Sequence, residues 1–241
     1  MRALSATQML RMWELGYARS PNWRALVILA TAFPEVGFDA LAGLSIGQRD
    51  AHLLALRNMT FGQRIDCMGT CPACAEAIEM AFETTDIWVH PEHGPPDEPL
   101  AVSYEGYEVV FHLPTSRDLL ALTGAEGAQA LMARCIVAVT YDDQDVAVAE
   151  LPEEVIVIIG ENMQAADPQA SIWLQLTCPA CGHDWSAPFD IVTFFWHEIE
   201  TQARRLLRQV HLLASAYGWS EAGILRLSPL RRQLYLDMIG S

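Results

Sequence analysis

The chain is 241 residues long, 51% hydrophobic and 19% charged, which excludes a disordered, collagenous or low-complexity polypeptide and supplies ample apolar material for a core. Its net charge is −15, from 30 acids against 15 bases, and every base is arginine, so P-loop, Schiff-base and lysine general-base mechanisms are gone. The charge is uneven: residues 76–200 carry 23 acids and two arginines (−21), against +2 for residues 1–75 and +4 for residues 201–241, and such an acidic middle is a poor footprint for a phosphate backbone.

The first 60 residues predict helices. Ser5, with Gln8 in the capping-box position, starts one through about Ala18, whose apolar face is Leu4, Met9, Leu10, Trp13 and Tyr17. Ser20-Pro21 opens a second to about Phe33, apolar nearly all round over Ala25–Ala30 and so buried. Ser45 with Gln48 starts a third through about Met59, with Arg49 and Asp50 outward and Leu53, Leu54 and Leu56 inward. The period then shortens toward two over Arg64–Cys74 and Ile78–Phe82, as in short strands.

His90–Pro99 reads as a proline-rich loop, leaving His90 and His93 to solvent. Val102–His112 predicts a hairpin turning at Glu105-Gly106, and Thr115 with Asp118 a helix start. One or two helices run on to about Val139, an exposed turn follows at Asp142, Asp143 and Asp145, and Pro152–Met163 is helical. Ser171–Thr177 and Trp185–Phe189 are strands, Asp190 to about Tyr217 a long helix ended by Gly218, and two short helices (Ser220–Leu227, Pro229–Ile239) close the chain. No stretch reaches the roughly 18 apolar residues of a membrane span. Arg11, Glu14 and Arg19 interrupt the N-terminal stretch, unlike a signal peptide, so the expected compartment is the cytoplasm or a particle assembled there.

One constellation carries chemistry. Cys71-Pro72-Ala73-Cys74 and Cys178-Pro179-Ala180-Cys181 repeat the same four residues, each beside strands. Two such turns facing each other make a tetrahedral four-thiolate zinc site with zinc–sulfur distances of about 2.3 Å. The metal ligands expected are therefore Cys71, Cys74, Cys178 and Cys181, holding a structural zinc; iron suits the same four thiolates. Gly182 can take the positive φ that closes the second turn. Four thiolates leave no open position for water, so the site is structural rather than catalytic. A redox pair fits less well, because neither turn opens a long amphipathic helix after a strand. Cys67 is a possible substitute ligand, His183 a neighbour of the site, Cys135 a core residue, and His197 and His211 core or surface residues of the long helix. No nucleophile elbow, paired-carboxylate site or glycine-rich phosphate loop stands out.

The order of Cys71–Cys74, Phe111-His112-Leu113-Pro114-Thr115-Ser116-Arg117-Asp118-Leu119, Cys178–Gly182 and the tail Tyr217–Tyr235 resembles zinc-ribbon proteins encoded with contractile phage tails and extracellular contractile injection systems, related to the baseplate hub assembly family of T4-like phages. The resemblance implies a non-enzymatic assembly chaperone or minor structural component, with baseplate or hub proteins as partners and no nucleic acid, membrane or small-molecule substrate. The alternative, a nucleic-acid-binding zinc-ribbon protein, has only the arginine-bearing tail in its favour.

The fold class expected is α+β and mainly helical, with a zinc-ribbon-like β element split by an insertion. Residues 1–60 form an N-terminal helical segment, 61–89 and 170–190 two halves of the ribbon, 90–169 an acidic hairpin and helical insert, and 191–241 a helical tail.

Overall fold

The computed structural model describes residues 4–89, 99–122 and 127–239; the loop expected over His90–Pro99, with His90 and His93, lies outside them except for Pro99. The N-terminal helices are α1 (Ala6–Gly16), α2 (Pro21–Ala32), the short α3 (Phe38–Ala42) and α4 (Ile46–Phe61). Their starts follow from local chemistry. Ser5 and Ser45 each accept from the backbone N–H three residues on, while the glutamine there reaches back to the cap. Ser20 caps α2 ahead of Pro21, whose missing N–H costs nothing at the first helical position.

A first hairpin, β1 (Arg64–Thr70) with β2 (Ala77–Glu83), leads into α5 (Thr84–Ile87). Next comes an antiparallel sheet of β3 (Leu100–Tyr104), β4 (Tyr107–Phe111), β5 (Ile136–Tyr141) and β6 (Gln144–Asp145), paired in that order. α6 (Ser116–Ala121) and α7 (Ala128–Cys135) join β4 to β5, and α8 (Glu153–Ala166) packs on the sheet. A second hairpin, β7 (Ile172–Thr177) with β8 (Asp184–Phe189), runs into α9 (Ile191–Tyr217), then α10 (Glu221–Leu225) and α11 (Pro229–Ile239). The result is α+β and mainly helical. Among the described residues no helix is long and apolar enough to cross a membrane.

Among the described residues two apolar clusters organise these elements. The first gathers Leu26, Ile28 and Leu29 of α2, Leu53 and Leu56 of α4, and Phe195, Ile199 and Leu206 of α9, and takes in Ile65 from the first hairpin. The second lies between the sheet and α8: Val109, Phe111, Val139, Val155 and Ile159. α9 spans 27 residues because its apolar positions recur at helical spacing. Asp190 caps its start, and Gly218, at φ 69°, supplies the left-handed conformation that ends it. Beyond it Trp219 stacks on Tyr217 at 4.7 Å and meets Tyr235 edge-on at 4.8 Å, which turns α11 back along α9.

Three expectations are corrected. The helix expected to reach Val139 stops at Cys135, and Ile136–Tyr141 is a strand. The run Ile136, Val137, Val139, Thr140 is β-branched, and β4 offers it a pairing edge. Tyr17 is exposed rather than part of the apolar face of α1, whose buried residues are Met9, Leu10, Met12 and Gly16. Arg49 and Asp50 do not face outward; both are buried as an ion pair at 2.8 Å. Arg49 also donates to Asn22 Oδ1 and Ser116 Oγ, so the side of α4 that local pattern assigned to solvent is covered by α2 and α6. At the same end, the buried Asp167 carboxylate accepts from Gly47 N at 2.8 Å, and a Cβ on Gly47 would run into it.

Burial pushes the Asp50 carboxyl up to about 6, with Arg49 pulling the other way and Asp190 and Asp167 adding repulsion. The folded protein therefore holds a proton between about pH 4 and 6 that the unfolded chain has released, and stability from this group falls as pH rises through that window. Asp50→Asn cannot ionise. Its stability relative to the parent should improve between pH 4 and pH 7 by on the order of 3 kcal/mol, since each tenfold difference in proton affinity between the folded and unfolded chain is worth about 1.4 kcal/mol. Urea denaturation of both proteins at the two pH values checks this, and a pH-independent difference would refute it.

Candidate metal centre

The two Cys-Pro-Ala-Cys turns sit at the tips of the two hairpins, and the hairpins are copies. Residues 64–83 match residues 171–190 at a constant offset of 107 (178 minus 71, 189 minus 82), with Ile65, Thr70, Cys71, Pro72, Ala73, Cys74 and Phe82 repeated. The strand registers agree as well: Thr70 faces Ala77 as Thr177 faces Asp184, and Ile65 faces Phe82 as Ile172 faces Phe189. Each turn closes with the same bonds. Ala75 N donates to Cys71 O and Cys71 N to Glu76 O, while Gly182 N donates to Cys178 O and Cys178 N to His183 O, all at 2.9 Å. At their far ends the hairpins meet through Phe82 and Phe189, edge to face at 5.7 Å.

The cysteines cross-match between copies. Cys71 Sγ lies 3.8 Å from Cys181 Sγ, and Cys74 Sγ lies 3.6 Å from Cys178 Sγ. All four sulfurs lie within 4.8 Å of one another, and none is in a disulfide. A tetrahedron of thiolates at zinc–sulfur distances of about 2.3 Å has edges of roughly 3.8 Å. The donor set and spacing therefore fit one tetrahedral cation. Cys71 and Cys178 are buried, and Cys74 and Cys181 are exposed.

The electrostatics agree with that geometry. Burial pushes the Cys71 thiol up, but backbone N–H groups of Cys74 and Ala73 and the thiols of Cys74 and Cys178 donate to it and bring it down to about 6. The backbone N–H of Glu76 pulls Cys74 down, yet Cys181, burial and the remaining cysteines outweigh it and push the thiol up to about 12. Cys181 is held above its ordinary value, with the backbone N–H of His183 opposed by burial and by Cys178 and Cys71. Of these three thiols Cys71 ionises most readily while Cys74 and Cys181 resist, a balance a bound divalent cation would reverse.

The turns differ at the residue that takes a positive φ. Gly182 takes φ 72° without strain, whereas the matching residue in the first turn is Ala75, at φ 62°. Ala75→Gly should stabilise the protein by about 0.5–1 kcal/mol, and Gly182→Ala should destabilise it by a similar amount. Thermal denaturation of the pair checks both signs together. Equal effects of the same sign would contradict the matching of the turns.

Neighbouring residues fall outside the cluster. Cys67 packs against the helical core, and burial raises its thiol. His183 contributes its carbonyl to the turn while its ring stacks on Trp185, 6.2 Å between centroids. Cys135 is buried in the second apolar cluster.

Sequence reasoning missed a second group, His112, Asp118 and Cys135, also within 4.8 Å. Asp118 Oδ2 accepts from Thr115 N and Oγ1 as a helix cap, and Arg134 Nε stands 3.8 Å from Oδ1. A carboxylate committed to a cap and faced by a guanidinium is a poor cation ligand.

Also missed was Arg57, which positions the first hairpin. Its guanidinium donates to Gly62 O at 2.6 Å and Arg64 O at 2.7 Å, at the entry to β1. It also pairs in bidentate fashion with Glu198 of α9, at 3.0 and 2.7 Å. The only sequence signal was an arginine at the end of a helix, near a glycine.

A family model described as T4 bacteriophage base plate protein matches residues 27–196. That span takes in both hairpins, the acidic segment between them and the start of α9; the Tyr217–Tyr235 block lies beyond it. No curated protein and no solved structure matches the chain.

Proposed function

We propose that this chain, which belongs to the T4 bacteriophage base plate protein family, is a non-enzymatic assembly chaperone or minor structural component of the baseplate or its hub, stabilised by a structural zinc or iron. Its partners are other baseplate proteins, and it acts where the particle is assembled, in the cytoplasm, or as part of that particle. The observation that carries this reading is the family match across both hairpins. The four-cysteine geometry supports the metal: Cys71, Cys74, Cys178 and Cys181 would hold it, and it would supply a cross-link between two hairpins 107 residues apart (178 minus 71). A protein partner is favoured over nucleic acid by the acids the hairpins themselves carry: Asp66, Glu76, Glu79, Glu83, Asp184 and Asp190, against one arginine, Arg64.

Deletion of the gene in its phage or injection-system context should leave incomplete tails, and the tagged protein should co-purify with a baseplate or hub component. Mass spectrometry of finished particles then separates the two roles: a chaperone is required but absent, a structural subunit is retained. Normal, infective or contractile particles from the deletion strain would sink the reading.

A further inference from the structure

We propose that the groove between β2 and β7 is a strand-addition site for an extended segment of another polypeptide, one that alternates apolar with basic residues. This rests on the assembly reading above only for the source of that segment.

The groove encloses about 850 Å³, and its walls are two uninterrupted runs, Ile78–Phe82 and Ser171–Thr177. Side chains alternate across a strand, so a wall made of every successive residue is an edge rather than one face. Among the described residues β2 pairs only with β1, and β7 only with β8. Among the described residues each therefore keeps an edge of unpaired N–H and C=O groups, and those are what an added strand bonds. β7, Ile-Trp-Leu-Gln-Leu-Thr, carries neither a charge nor a proline. Such an edge lacks the usual guards against pairing, so a cover is expected. Buried Gln169 secures one end of the groove: its side chain accepts from Val89 N at 2.7 Å and donates to Ile87 O at 3.4 Å.

Charge and shape select the occupant. Among the described residues the ionisable side chains lining the groove are Glu79 and Asp86, both acidic. Glu79 lies on the exposed side of β2, while Ile78 and Met80 point toward the protein. A strand lying alongside would place apolar residues by Ile78, Met80 and Leu174 and arginine or lysine by Glu79. Trp173, 52% exposed on the β7 wall with its indole N–H already donated to Ser171 Oγ, offers its ring to a guanidinium. A second copy of this chain fits poorly, because it would bring two −21 segments together.

The test uses a seven-residue blocked peptide of alternating valine and arginine, read by tryptophan fluorescence and by hydrogen exchange. The expected result is saturable binding with new amide protection confined to Ile78–Phe82 and Ile172–Thr177. Methylating every second peptide nitrogen should abolish it. Glu79→Arg should weaken binding about fivefold, the size of a reversed cross-strand charge pair, and should admit the valine–glutamate peptide that the parent protein rejects. Absence of binding, protection elsewhere, or equal binding of the methylated or glutamate peptide to the parent protein would overturn the proposal. Failure here alongside successful co-purification removes the groove and leaves the assembly reading standing.

Discussion

Removing the proposed metal with a strong chelator, or replacing Cys178 with serine, should melt the tips of both hairpins while the helical core stays folded. A two-stranded hairpin is marginal in water, and structural zinc contributes on the order of 10 kcal/mol to the folding of small zinc domains. Ile65 is fully buried in the helical core and Phe82 meets Phe189, so the far ends of the hairpins have anchors of their own. The turns at Thr70–Ala77 and Thr177–Asp184 are held by their own backbone bonds, one exposed Thr177–Asp184 side-chain bond and the approach of the four sulfurs. Hydrogen exchange after chelation should therefore rise at these tips and stay unchanged in α2, α4 and the first half of α9. Elemental analysis should find one zinc or iron per chain, lost in Cys178→Ser. Freshly purified protein without metal, or tips indifferent to chelation, would remove the foundation of the site.

The second large effect is expected at Arg57. Arg57→Ala should cost about 3–5 kcal/mol, because it strands Glu198 and leaves two backbone carbonyls without their donor. The double variant Arg57→Met with Glu198→Met should lose less than Arg57→Ala, since it leaves no carboxylate without its partner. Arg64→Ala is the control: its pair with Asp66 is exposed on both sides and should leave the denaturation midpoint where it was. Urea denaturation of the four proteins decides the matter. A small loss in Arg57→Ala would mean that the entry to β1 is held by packing alone.

The helices and the hairpin turns are legible in the sequence because their signals are local. A serine with glutamine three residues on, a proline behind a serine, Glu105-Gly106 between alternating strands and a glycine after a long apolar periodicity each act within a few residues. The strand at Ile136–Tyr141 is not legible in this way. Its partner, β4, lies about 30 residues back and beyond two helices, and only that pairing edge separates a β-branched run from a helix end. Arg49 and Asp50 mislead for a related reason. A charged pair on one side of a helix is indistinguishable from a solvated face until Asn22 and Ser116 are seen covering it.

The sequence alone therefore determined most of the secondary structure, the mainly helical α+β class, the identity of the four cysteines and the uneven charge that disfavours a nucleic-acid surface. Only the tertiary structure decided that the two cysteine hairpins, whose residues repeat in sequence, pair their strands in the same register. It also decided that Cys71 faces Cys181 and Cys74 faces Cys178, that Arg57 clasps a glutamate 141 positions away (198 minus 57), and that two strand edges share a groove. The physical reason is range. Capping, turn formation and periodicity are set by neighbours in sequence, whereas sulfur–sulfur approach, burial of charge and the exposure of a strand edge depend on groups that only folding brings together.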